Sequence, residues 1–199
     1  YERIEDEVRK ADALKQVGDI ESLLKHFESS LEYYTQAEQI YEKYNDNIYK
    51  VSATNAIGDV YKEMGDLENA RQKQQEAIAL SRKFSVRATL AKALNDLGLI
   101  LIAQGEFLEA RNVLLESKDI SVAEKLELRT IYADQALASL NYQEKKYQKA
   151  LQHTDLAIKA SLENGAVIAL KDLYVLRSST LEALNQHKEA IAYLKKAQE

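Results

Sequence analysis

Val51-Ser-Ala-Thr-Asn-Ala-Ile-Gly-Asp-Val-Tyr-Lys-Glu-Met-Gly-Asp66 carries apolar or small residues at Ala53, Ile57, Val60, Tyr61 and Met64, the spacing of one face of an α-helix. Gly65 then offers a helix C-terminus and Asp66 an N-cap for a second helix beginning at Leu67, with Ala70, Ala77, Ile78 and Leu80 on its apolar side. That helix is expected to run to about Phe84, where Ser85 can cap the next one. Two antiparallel helices joined by a turn of about three residues form an αα-hairpin.

Forty residues on, Leu94-Asn-Asp-Leu-Gly-Leu-Ile-Leu-Ile-Ala-Gln-Gly105 repeats the pattern, with Phe107 in place of Leu67. The step extends through the chain. Gly18, Gly58, Gly98, Ala138 and Ser178 are 40 apart; so are Ser30, Ala70, Ala110, Ala150 and Ala190, and Ala37, Ala77, Ser117, Ala157 and Ala197. Small residues at fixed register are expected where one helix approaches another too closely for a long side chain. Residues such as Tyr61, Leu97, Leu137 and Tyr147 fill the space left. A period of this size predicts one continuous stacked array. Its units are approximately 11–50, 51–90, 91–130, 131–170 and 171–199, with 1–10 as an N-terminal helix extension. The first unit is ambiguous, because Gly18-Asp19 also reads as a helix–helix turn.

Composition agrees with an all-α fold. The 199 residues contain no proline, where average usage of about 5% would give roughly ten. A net charge of −5 with no basic stripe argues against direct nucleic-acid binding. The longest apolar run, 97–103, is far below the roughly 20 residues of a membrane span. Cysteine is absent, so neither disulfides nor thiolate metal sites are available. The chain begins at Tyr1, so a fragment of something longer is expected, cytoplasmic or belonging to a periplasmic sensor.

These residues resemble the tetratricopeptide repeat (TPR) family. Ile57, Gly58, Tyr61, Ala70 and Ala77 match its pattern, as do Leu94, Leu97, Gly98, Leu101 and Ala110. The unit is longer than the usual 34 residues and lacks its proline. That places the resemblance in the long-repeat subgroup, which includes kinesin light chains, polarity adaptors and bacterial peptide-responsive regulators. The resemblance implies an α-solenoid of five stacked antiparallel helix pairs in a right-handed superhelix, with the first helix of each pair lining a concave groove. It puts Ser52, Asn55, Asp59 and Lys62 there from the second unit, Lys92, Asn95, Asp96, Leu99 and Ile102 from the third, and Tyr132, Gln135, Ser139 and Tyr142 from the fourth. Asn55, Asn95 and Gln135 share one register and could hold a peptide backbone, since a side-chain amide both donates and accepts. The carboxylate clamp of some relatives is not reproduced at Asp19, Ala56 and Asp96.

No catalytic motif is present. His26, His153 and His187 have no metal-ligand spacing and read as exposed polar residues. No phosphate loop occurs, and no cofactor or metal is expected. The function implied is a non-catalytic peptide- or protein-binding scaffold, the sensory or regulatory part of a larger bacterial signalling or transcription-regulating protein. The alternative is a self-association or spacer element, because Ile191 and Leu194 on the last helix lack a following helix to cover them.

Overall fold

The computed structural model describes residues 2–198, with side chains from residue 4. Among the described residues there are ten helices and no strand: α1 (Glu2–Leu23), α2 (Phe27–Lys43), α3 (Asn47–Glu63), α4 (Leu67–Lys83), α5 (Arg87–Gln104), α6 (Phe107–Ala123), α7 (Glu127–Gln143), α8 (Tyr147–Glu163), α9 (Val167–Ala183) and α10 (His187–Lys196). They divide into two compact units, one up to Ile100 and one from Leu101. In the first, α1 packs on α2, α2 on α3 and α3 on α4. In the second, the chain of neighbours runs from α6 to α10, and α7 also touches α9 directly.

Helices α1 to α9 stop by the same device. Residues 25, 45, 65, 85, 105, 125, 145, 165 and 185 have positive φ, between 54° and 81°. The next amide reaches back to a carbonyl five residues earlier, as His26 N to Glu21 O (2.9 Å), Asp66 N to Tyr61 O (2.9 Å) and Lys146 N to Asn141 O (2.8 Å). This is the Schellman closure, which satisfies carbonyls that the helix end would otherwise leave unpaired. It recurs every 20 residues, half the sequence repeat. Glycine supplies the left-handed residue at 65, 105 and 165; elsewhere Lys25, Asn45, Ser85, Lys125, Lys145 and Asn185 adopt it despite their Cβ atoms. Ser85 is therefore the left-handed residue that ends α4 and not a cap for α5. Asp66 does cap α4, accepting from Asn69 N at 3.2 Å.

The ambiguity at Gly18 resolves the same way. Gly18 lies inside α1, and the turn comes at 24–26. A Cβ on Gly18 would sit 2.8 Å from the Tyr34 ring, and one on Gly58 would sit 2.7 Å from the Gln74 amide. All fifteen small-residue positions are buried. At two of these positions a serine hydroxyl ties the hairpin together: Ser30 Oγ donates to Gly18 O at 2.8 Å and Ser178 Oγ to Ala190 O at 2.7 Å. Large residues such as Leu137, Leu140, Leu173 and Leu181 fill the rest.

Replacing Lys145 by glycine should relieve a left-handed strain and raise unfolding stability by about 1 kcal/mol, whereas Gly105→Ala should lower it by a similar amount. Urea denaturation of both variants checks this; equal and small effects would contradict it.

Candidate functional site

The groove positions have different fates in the two units. In the first, α3 and α5 are joined by a network of their own polar side chains. Asn55 is only 3% exposed and donates to Gln74 Oε1 at 2.5 Å and to Asp96 Oδ2 at 3.4 Å. Gln74 enters because Gly58 leaves room for it, and its Nε2 donates to Asp59 Oδ1 at 3.2 Å. Lys92 Nζ donates to Asp96 Oδ2 at 2.7 Å and also to Asp59, while Lys62 Nζ lies 3.5 Å from Asp96 Oδ1. Asn55, Asp59, Lys62, Lys92 and Asp96 thus satisfy one another. Of the other positions, Ser52 and Leu99 are partly exposed, and Asn95 Oδ1 is buried with no donor among the described residues.

Burial and the neighbouring Asp96 charge push the Asp59 carboxyl up to about 6, against an ordinary 3.8. Burial alone would raise Asp96 too, but Lys92 and Lys62 outweigh it and hold that carboxyl below its usual range. Two like charges beside each other are separated in this way.

In the second unit the same register opens into a cleft of about 340 Å³ between α7 and α9. Gln135, Ser139, Tyr142 and Gln143 line one wall, and Asp172, Val175, Leu176 and Ser179 the other. Among the described residues, no side-chain hydrogen bond ties down Gln135, Ser139, Gln143 or Ser179. Tyr142 is braced from behind by the Tyr147 ring, centroid to centroid 5.7 Å. Tyr132 is not a lining residue; it packs on the apolar cluster of Ile131, Ala157, Ala169 and Leu173. Ile102 is partly exposed and outside the cleft. Beside Gln135, the 5%-exposed Asp134 accepts from Lys118 Nζ at 2.8 Å and pairs with His153 Nδ1 at 2.7 Å. His153 is therefore a half-buried structural partner and not an exposed polar residue. His26 is exposed and pairs with Glu21.

Asp172, Val175 and Ser179 were missing from the sequence reading. They occupy the registers of Tyr132, Gln135 and Ser139 one 40-residue step later, so carrying the same count into the fifth unit finds them. No group of three or more His, Cys, Asp or Glu side chains that could hold a metal occurs among the described residues. Nor is any described helix long and apolar enough to cross a membrane.

Tetratricopeptide repeat models match residues 49–121 and 172–199. The chain belongs to the tetratricopeptide repeat family, and its fold is an all-α helical repeat of that type. No curated protein matches the sequence. Among solved structures, a Rap protein complexed with competence and sporulation factor superposes with a TM-score of 0.82 at 24% identity, covering 98% of this chain and 55% of its own. The Rap conjugation gene regulator of plasmid pLS20, in complex with the Phr* peptide, gives 0.79 at 16% identity over 92% of this chain and 51% of that one. Aspartyl phosphate phosphatase F from Bacillus subtilis gives 0.77 at 15% identity over 96% and 59%. At these identities the likeness is one of fold, and the chain spans little more than half the length of each.

Asp59 holds its proton more tightly folded than unfolded. Between pH 4 and 6 the folded chain then binds more protons, so this group lowers stability as pH rises through that window. Asp59→Asn should flatten the fall, as read by urea denaturation at pH 4.5 and 6.5; an unchanged slope would contradict the assignment.

Proposed function

We propose that this chain is a non-catalytic scaffold whose α7–α9 cleft holds an extended peptide segment of a partner. One observation carries the reading: a cleft of ligand-site size lined by amides and hydroxyls that no neighbour occupies. Backbone amides and carbonyls of an extended peptide need such groups, and Gln135, Gln143, Ser139 and Ser179 can both donate and accept. Val175, Leu176 and the Tyr142 ring add apolar contact. The first unit is less suited, because a peptide there would have to compete with Lys92, Asp59, Asp96, Asn55 and Gln74 for their own bonds. The Phr* peptide bound in the similar Rap conjugation gene regulator supports the reading. We further propose that the chain is the sensory or regulatory part of a larger bacterial signalling protein, the five repeats being those read from the sequence.

Peptides selected by display on the intact chain supply the test. Gln135→Ala combined with Tyr142→Ala should weaken the best binder at least tenfold, while Asn55→Ala should lower stability and leave affinity unchanged. Equal affinity in a folded Gln135/Tyr142 variant would overturn the cleft as the site.

A second reading has its own observation: Ile191 and Leu194 on α10 are 56% and 46% exposed. If the chain self-associates there, light scattering should show a dimer that Ile191→Glu dissociates. A strict monomer at high concentration would contradict it.

A further inference from the structure

Five aspartates on the odd-numbered helices α1, α3, α5 and α7 have a partner within their own unit. Asp12 accepts from Tyr41 Oη at 2.7 Å, and Asp19 accepts from Tyr34 Oη at 2.6 Å and pairs with Lys15 at 3.1 Å. Asp59 and Asp96 share Lys92 and Lys62. Asp134 has Lys118 and His153. Asp172 occupies the same 40-residue register as Asp12, yet among the described residues no cation or hydroxyl reaches it. It is exposed, and among the described residues it is the only charged one lining the α7–α9 cleft.

A lone carboxylate in a concave, otherwise neutral wall sets the sign of what enters. Val175 and Leu176 set apolar surface beside it, and among the described residues no cation pairs with it. The carboxylate is free to pair with a cation on an occupant of the cleft.

Resting on the peptide-binding reading above, we infer that the cleft selects an extended peptide bearing a lysine or arginine side chain, paired with Asp172. An aliphatic residue beside that cation lies against Val175 and Leu176. The cation donates to the carboxylate, while the alkyl stem of the same side chain covers apolar wall that acidic or short residues would leave wet.

A positional-scanning hexapeptide library, read by fluorescence polarisation on the intact chain, tests this. Lysine or arginine should be enriched at one position, and exchanging that residue for norleucine should cost about two- to fivefold in affinity. Asp172→Asn should erase the difference between the two peptides without abolishing binding, and circular dichroism should show an unchanged fold. Enrichment of acidic or neutral residues, or a cation preference surviving in Asp172→Asn, would overturn the inference. So would a preference removed by N-acetylation alone, since the α-ammonium would then be the cation. Failure of every peptide to bind would instead overturn the cleft as a peptide site.

Discussion

An amide hydrogen bond reaching back five residues, made possible by one left-handed residue, closes a helix at every twentieth position of this chain. Because the closure recurs at a constant step, most helices come out at 17 residues with three-residue turns. Equivalent side chains therefore return to the same face after each hairpin. The small residues meet only because of that constancy. A helix one residue longer would rotate Gly58 by about 100° away from Gln74. The turns thus determine which side chains share the packing seam and which share the polar face.

That polar face then follows local chemistry. Where α3 and α5 carry two aspartates, two lysines and an asparagine, opposite charges and amides pair off and shut out other partners. Where Gln135, Ser139, Ser179 and Asp172 face each other between α7 and α9, no ion pair or side-chain hydrogen bond among the described residues joins the walls, and a cleft remains. The same scaffold positions serve cohesion in one unit and leave recognition chemistry open in the other.

Much of the fold was legible because small residues and helix-ending glycines leave plain signals, as at Gly58, Gly65 and Ala70. Lys25 and Lys125 were harder to read as helix ends, since nothing in a lysine announces a left-handed backbone. Ser85 misled for the same reason: a serine after a helix looks like a cap, yet its backbone conformation was the relevant property. In the candidate site, Gln135, Ser139 and Tyr142, expected from their register to share a concave face, line the α7–α9 cleft. Asn55 could not be read as buried, because its partner Gln74 lies 19 residues away on another helix and depends on the missing Cβ of Gly58. The His153–Asp134 pair is equally non-local.

The contrast between a closed polar network and an open cleft can be measured without any ligand, from the side-chain amide resonances in a ¹⁵N-labelled sample. Asn55 and Gln74 should show shifted NH₂ signals that exchange slowly with water, while Gln135 and Gln143 should lie near their free values and exchange fast. Slow exchange at Gln135 and Gln143, or fast exchange at Asn55 and Gln74, would contradict the account.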